Sequence, residues 1–183
     1  LGANWAAVNL SSSGSVPVDA GTGASHACAL MANGSIWCWG YNISGQLGNG
    51  TVTSSLTPVQ VSGITTATQL SVGYSFNCAL LSDGSVKCWG SNGIGQLGDG
   101  TTTTRTAPVA VSGLSSVTQI TTSQSFGGPY ACAVSSGATY CWGDNSTGQL
   151  GNGSMTSSST PAAVAAPMNS GVLQLSAGNG HTC

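Results

Sequence analysis

Charge is what this sequence of 183 residues lacks most. Four acidic and two basic side chains make up 3% of the chain, whereas soluble domains carry roughly 25% charged residues. Two basic residues cannot neutralise a row of phosphates, so we expect no nucleic-acid partner. A basic surface that binds anionic membranes is excluded for the same reason.

Long apolar runs are also missing, and none approaches the roughly 20 residues that a membrane-spanning helix needs. We therefore expect no membrane insertion. The chain starts without a methionine or a signal-peptide pattern, which indicates a mature or excised segment. Disorder is not expected, because 40% of the residues are hydrophobic and the net charge is only −2, whereas disordered chains combine low hydrophobicity with high net charge.

An internal repeat of about 50 residues organises the chain. Residues 24–73 and 74–123 align without a gap and are identical at 24 of 50 positions. Trp-Gly and Gly-Gln-Leu-Gly steps recur at the same places in each copy, and a third copy carries small insertions. The predicted division is a degenerate lead-in or strand that completes a blade (1–23), three repeats (24–73, 74–123 and 124–172) and the start of a fourth (173–183).

Each repeat reads as short strands joined by turns. In the first, residues 28–31 and 35–38 flank Ala32-Asn33-Gly34, a three-residue loop whose glycine suits the left-handed conformation. The period of two places Cys28, Leu30, Ile36 and Cys38 on one face. Further strands are predicted over residues 58–61, with Pro58 as the first residue, and over residues 68–72. Four short antiparallel strands in about 50 residues predict an all-β fold built of propeller blades.

The repeated motif reads CAL-x-x-(N/D)-G-S-V-x-CWG-x-N-x-x-GQLG-x-GT, followed by P-x-x-V. It resembles the repeat of the regulator-of-chromosome-condensation family and of the bacterial propeller-type beta-lactamase-inhibitor proteins, over about residues 24–183. The resemblance implies a seven-bladed β-propeller that binds proteins and is not an enzyme. The motif positions are scaffold positions, so the resemblance transfers no functional residue.

The length departs from that pattern, since seven such blades need about 350 residues. Three interpretations stay open. The chain is an excised part of a longer protein, or two copies close one ring, or copies stack into an open or filamentous array.

Six of the seven cysteines fall into one pair per repeat: Cys28 with Cys38, Cys78 with Cys88, and Cys132 with Cys141. The members of each pair face each other across a predicted hairpin, so disulfides are within reach and an oxidising compartment is favoured. Zinc ligation would need shorter spacings and further ligands. Cys183 aligns with the first cysteine of each pair, so its partner either follows this sequence or belongs to another chain.

No catalytic, cofactor-binding or metal-binding residue is predicted. His26 and His181 occupy the slot that holds Phe76 and Tyr130 in other copies, which indicates aromatic packing. Asp83, Asp99 and Asp144 stand in positions that other copies fill with Asn, Ser or Tyr, which indicates turn residues. The glycine-rich stretches lack the lysine and the helix of a phosphate loop. A calcium site made of Asn and Asp side chains and loop carbonyls is the alternative.

Tryptophans and sequons supply the remaining candidates. The recurring Trp39, Trp89 and Trp142 are expected to pack between blades, whereas Trp5 and Trp37 do not recur and are freer to serve a contact surface. Predicted glycan acceptors are the asparagines of six N-x-S/T sequons: Asn9, Asn33, Asn42, Asn49, Asn145 and Asn152.

These observations predict a non-enzymatic, secreted or cell-surface β-propeller repeat protein. We expect a structural or protein-interaction role, with a protein partner or self-association and no cofactor, for example as a subunit of an extracellular fibre or surface layer. The alternative is a soluble binding module that inhibits or docks a secreted enzyme. A non-repeating cluster of aromatic residues on one rim would favour that alternative.

Overall fold

The computed structural model describes residues 15–166, 171–172 and 174–178. Twelve β-strands form in this part of the chain. No helix in it is long and apolar enough to cross a membrane. The strands are β1 (Pro17–Thr22), β2 (His26–Met31), β3 (Ile36–Gly40), β4 (Ser55–Gln60), β5 (Ala67–Val72), β6 (Phe76–Leu81), β7 (Val86–Gly90), β8 (Arg105–Ala110), β9 (Val117–Thr122), β10 (Tyr130–Ser135), β11 (Ala138–Gly143) and β12 (Ser158–Ala163).

The strands form three antiparallel four-stranded sheets, each in chain order. Blade 1 contains β1–β4, blade 2 contains β5–β8 and blade 3 contains β9–β12. The predicted all-β fold of four-stranded blades is thus confirmed. The blades are shifted against the sequence repeats, because β5 lies at the end of residues 24–73 yet pairs with β6 of the next blade. Similarly, β1 lies within residues 1–23 and completes blade 1 by pairing with β2.

The central hairpin of each blade closes through a turn that needs positive φ angles. In blade 1, Gly34 has φ of 79°, and its N–H donates to the carbonyl of Met31 at 2.8 Å. The third copy is one residue shorter, and there Ser136 and Gly137 take φ of 50° and 81° in a two-residue turn. Two consecutive residues with positive φ are typical of type I′, whose twist matches that of the flanking strands.

The core lies between the blades. One cluster joins the face of blade 1 predicted to carry Cys28, Leu30, Ile36 and Cys38 to blade 2, where it includes Leu70, Val72, Ala79 and Trp89. A second joins blade 2 to blade 3 in the same way, and includes Cys78, Leu80, Val86, Cys88, Val117, Ile120, Ala133 and Trp142. Because each of these faces is covered by the neighbouring blade, the blades depend on one another for stability.

The recurring tryptophans fill these interfaces. Trp89 and Trp142 are completely buried. The indole Nε1–H of Trp89 donates to the carbonyl of Gln46 at 2.9 Å, and that of Trp142 donates to the carbonyl of Gln96 at 3.0 Å. Each tryptophan therefore binds the Gly-Gln-Leu-Gly loop of the preceding blade. Trp39 in blade 1 is only half-buried, and no blade precedes it in the described part of the chain.

The first strands of neighbouring blades are joined by side chains. The amide of Gln69 on β5 donates to the carbonyl of Ile120 on β9 at 3.2 Å and accepts the Ile120 N–H at 3.0 Å. Nearby, the hydroxyls of Ser71 and Thr122 lie 2.8 Å apart. A glutamine side chain thus provides the two hydrogen bonds that a paired strand would otherwise supply.

A disulfide crosses the central hairpin of every blade. Cys28–Cys38, Cys78–Cys88 and Cys132–Cys141 are bonded, with Sγ–Sγ distances of 2.15, 2.13 and 2.10 Å. In each blade the two cysteines are directly opposite in the strand register. All six are at most 1% exposed, so the bonds lie inside the packed sheets.

Candidate interaction surface

The blades present two different ends. At one end lie the turns between the first two strands of each blade, residues 23–25, 73–75 and 123–129, with the segments that follow the third strands, residues 41–45, 91–95 and 144–148. We call this end the loop face. At the opposite end lie the tight hairpin turns, and we call it the hairpin face. The hairpin face presents polar side chains such as Asn33, Asp83 and Ser136.

The loop face carries one element that does not repeat. The turn has three residues in blades 1 and 2 but seven in blade 3, where residues 123–129 connect β9 to β10. Internal hydrogen bonds brace this longer loop: the Tyr130 N–H donates to the Ser123 hydroxyl at 3.0 Å, and the Gly128 N–H donates to the Ser125 hydroxyl at 3.1 Å. Ser123 and Ser125 are buried.

The same loop is also fixed to the other two blades. The side-chain amide of Gln124 donates to the carbonyl of Thr22 at 2.8 Å and to that of Val72 at 2.5 Å. These carbonyls belong to the last residues of β1 and β5, so one side chain joins all three blades at this end.

Phe126 stands at the tip of the loop and is 80% exposed. Its ring meets Tyr74 of blade 2 edge-on, with centroids 5.3 Å apart and planes at 60°. Other exposed apolar side chains on the loop face are Tyr41, Ile43 and Ile94. Tyr74 and Phe126 have no aromatic counterpart in the other copies. They therefore form a non-repeating aromatic pair on one rim.

The charged groups near the loop face are buried or paired. The Asp144 carboxylate is 5% exposed and accepts hydrogen bonds from the Gln149 amide and the Ser146 hydroxyl. At the outer rim, Arg105 and Asp99 form an ion pair at 2.7 Å. Burial acts to raise the pKa of Asp99, but two hydrogen bonds from Thr101 and the pairing with Arg105 together outweigh it, so the pKa lies below its ordinary value.

His26 lies between blades 1 and 2 and is 5% exposed. Its Nε2 is 2.8 Å from Oδ1 of Asn77, and the Asn77 amide donates to the Gln46 carbonyl at 2.8 Å. This orientation of the Asn77 amide requires Nε2 to carry the proton. Nδ1 is buried without a hydrogen-bond partner in the described structure. The packing role predicted from the Phe76 and Tyr130 slots agrees with this geometry, since both of those rings are completely buried.

Burial lowers the pKa of His26 from its ordinary value of 6.5. As the pH is lowered, His26 is therefore protonated at a higher pH in the unfolded chain than in the folded chain. Its contribution to the unfolding free energy is fully present above about pH 6.5 and is lost as the pH falls below that value. We expect a loss of up to about 1.4 kcal/mol of unfolding free energy per pH unit in that window. His26→Phe, which copies the residue of blade 2, should remove this slope. Urea unfolding of both proteins at a series of pH values measures the difference, and equal slopes would contradict it.

One buried asparagine organises each glycine-rich loop. In blade 1 the Asn42 amide donates to the carbonyls of Thr51 and Thr53, both at 3.0 Å, while Oδ1 accepts the Leu47 N–H at 2.8 Å. Asn92 and Asn145 make the same bonds in blades 2 and 3. The asparagine amide therefore binds two carbonyls of its own loop in every described blade.

This arrangement corrects two of the predicted glycan acceptors. Asn42 and Asn145 are completely buried, and the amide nitrogen that a glycan would modify is bound to backbone carbonyls. Sequon spacing could not reveal this burial. Asn33 is exposed, and Asn49 and Asn152 are partly exposed, so for these three the prediction stands untested. Asn9, Trp5, His181 and Cys183 lie outside the described residues.

Within the described residues, no group of three or more His, Cys, Asp or Glu side chains is arranged to hold a metal ion. An open cavity of about 490 Å³ lies beside β5, β9 and residues 174–175. Its lining is neutral and consists of Thr68, Gln69, Leu80, Thr118, Gln119, Gln174 and Leu175.

The repeat itself is a known one. The family model described as "Regulator of chromosome condensation (RCC1) repeat" matches residues 33–80, 83–128 and 136–183, and a second model of that description matches residues 18–46 and 67–96. The chain belongs to the RCC1 repeat family. The resemblance seen in the sequence is therefore confirmed.

Solved structures show the same fold. The chain is similar to Prp20p of Saccharomyces cerevisiae, described with its binding to Gsp1p and histones, at 16% identity and a TM-score of 0.76 over 91% of this chain and 42% of that one. Yeast RCC1 (Prp20) bound to Kap60 matches at 23% identity and a TM-score of 0.75, over 91% of this chain and 39% of the other. Human WBSCR16 matches at 18% identity and a TM-score of 0.55, over 92% and 57%. This RCC1-repeat chain thus spans less than two thirds of these relatives.

Proposed function

We propose that this RCC1-repeat chain is a non-enzymatic protein-interaction module that works outside the cell. The observation that carries the interaction role is the braced, non-repeating loop 123–129, which presents Phe126 against Tyr74 on the loop face. Exposed aromatic residues on a rigid scaffold are typical of protein-binding sites. The binding of Gsp1p, histones and Kap60 by the yeast relatives supports the same role.

The extracellular location is supported by the buried disulfide in each of the three blades. Cytosolic proteins rarely keep such bonds, because the thiol pool there is reducing. Alkylation of the unfolded protein from its native source, before and after reduction, counts free and bonded cysteines. We expect the six blade cysteines to be blocked before reduction. Six alkylated blade cysteines in unreduced protein would overturn the extracellular proposal.

The expected partner also distinguishes a binding module from a fibre subunit. A binding module occurs as a discrete complex with a different protein, whereas a fibre subunit occurs as a large assembly of itself. Native mass measurement of the protein as isolated, with identification of every component, decides between them. We expect a discrete complex, and a self-assembly with no second protein would establish the fibre role instead.

Self-association is a second candidate, favoured by an open side of blade 1. The Gly50 N–H donates to the Thr106 carbonyl of the following blade at 2.9 Å, and the Gly100 N–H likewise reaches Ser159. The equivalent residue of blade 1, Leu56, is fully exposed, so a loop of another copy could bind there. On blade 3, however, Leu175 and Ala177 already pack on the sheet, and a second copy that closed a ring would have to displace them.

A further inference from the structure

We propose that Phe126, supported by Tyr74, is the anchor of the interaction surface, and that it inserts into an apolar pocket with an uncharged rim on the protein partner. This inference rests on the proposed interaction role and adds the site and the chemistry of the partner. Three properties of the loop face carry it: an inserted loop, its rigidity, and the lack of exposed, unpaired charge.

The insertion is not needed for the fold. Blades 1 and 2 connect their first two strands with three residues, and blade 3 reaches the same strand pairing after seven. The extra residues bring Phe126 out to 80% exposure. Single exposed apolar residues are ordinary on protein surfaces. Phe126 differs because a second aromatic side chain, Tyr74 of the adjacent blade, supports its ring from the edge.

The loop is held in place before any partner binds. Gln124 fixes it to the ends of β1 and β5, and the Ser123 and Ser125 hydroxyls brace it from inside. A rigid loop loses little conformational entropy on binding, which is the usual advantage of a preorganised anchor. The position of the Phe126 ring therefore depends on contacts with all three blades.

The electrostatics of the loop face select the partner. The Asp144 carboxylate is buried beneath neutral donors, and Arg105 is paired with Asp99. The exposed side chains that accompany Phe126 on this face are uncharged. Tyr41, Ile43 and Ile94 are large and mostly apolar, and Ser25, Ser146 and Thr147 are polar. A charged partner surface would lose solvation here without gaining an opposite charge. An uncharged apolar pocket avoids that penalty, and its binding should depend little on salt.

The experiment places a photoreactive benzoylphenylalanine at position 126 in the full chain, with a matched label at position 56. Leu56 is the control because it is 100% exposed but lies on β4, outside the loop face. An adduct between position 56 and a second copy of this chain is recognised by its mass and reports self-association, so only adducts with a different protein are compared. Irradiation in the extracellular fluid or surface fraction of the native source is followed by mass spectrometry of the adducts. The protein joined to position 126 is then purified and titrated with the unlabelled chain and with the variants Phe126→Ser and Leu56→Ser.

We expect an adduct with a different protein from position 126 and none with a different protein from position 56. Phe126→Ser should raise the Kd at least about 30-fold, as loss of a buried anchor does, while Leu56→Ser changes it less than about twofold. Raising NaCl from about 50 mM to about 500 mM should change the Kd less than about threefold. Circular dichroism and the urea midpoint confirm that both variants are folded.

Each other outcome has a definite meaning. Adducts with a different protein from position 56 alone, or a partner that binds Phe126→Ser as tightly as the unmodified chain, would overturn this surface and leave the interaction role intact. A steep salt dependence would overturn the uncharged pocket. The absence of protein adducts from both positions and from a third label at Asn33 on the hairpin face would overturn the interaction role itself.

Discussion

Gly95→Ala is expected to destabilise the protein far more than Gly148→Ala, although the two glycines occupy the same place in successive repeats. Their φ angles are +81° and +80°, so both substitutions carry the same backbone strain of about 1 kcal/mol. At Gly95 a new Cβ would lie 2.5 Å from the Ser159 Cα on β12 of the next blade. At Gly148 no described atom lies within 4 Å of that position.

The difference between the variants measures the contact between blades. Because a clash with backbone cannot be relieved by rotating a side chain, blades 2 and 3 must separate locally, which also weakens the Gly100–Ser159 hydrogen bond of 2.9 Å. We expect losses of about 1 kcal/mol for Gly148→Ala and about 3 kcal/mol or more for Gly95→Ala. Urea unfolding with the disulfides intact gives both values. Equal losses would mean that the loop of blade 2 does not pack on blade 3.

The hairpins were predictable from the sequence because their determinants are local. Gly34 and Gly137 mark the turns, and the alternation around Cys28 and Cys38 sets both the buried face and the register. The recurrence of the Trp-Gly step in each copy also allowed its tryptophans to be predicted as packing residues. All of these signals lie within one hairpin or recur at a fixed spacing, so one sequence suffices to find them.

The strand at which each blade begins could not be predicted in this way. Residues 68–72 form a strand in either frame, and the sequence does not state whether that strand pairs backward or forward. The deciding contacts are distant, such as the bonds between Gln69 on β5 and Ile120 on β9. The start of a sequence repeat can be placed at any residue of the repeating unit, whereas the first strand of a sheet is fixed by the strand with which it pairs.

The candidate surface was missed for a related reason. In the sequence, residues 123–129 are an irregularity between two well-matched copies, and Phe126 is one of several aromatic residues. Its importance depends on exposure and on the bonds from Gln124 to two other blades, which no local pattern encodes. The sequons misled in the opposite direction, because Asn42 and Asn145 match the acceptor pattern while serving as buried loop anchors.

Asn92→Leu is expected to remove much of the stability of blade 2, because the side chain it replaces is completely buried and makes bonds in two directions. Its amide donates to the carbonyls of Thr101 and Thr103, both at 3.1 Å. Its Oδ1 accepts the N–H of the buried Leu97 at 2.9 Å. Leucine has a similar size but supplies neither donor nor acceptor, so we expect a loss of about 3–4 kcal/mol in urea unfolding.

Two further variants test whether the loss of stability comes from the lost hydrogen bonds, and not from altered packing or turn propensity. Asn33→Leu makes the same exchange at an exposed turn, where water replaces the lost bonds, and should cost less than about 1 kcal/mol. Asn92→Asp keeps the acceptor for Leu97 but turns a carboxylate toward two carbonyls and toward Asp99, whose Oδ1 lies 3.2 Å from the native amide nitrogen. The new carboxyl group should therefore have a raised pKa in the folded state, so the variant loses stability as the pH rises above about 4. A Leu variant as stable as the native chain, or an Asp variant with no such pH dependence, would show that the asparagine does not anchor the loop.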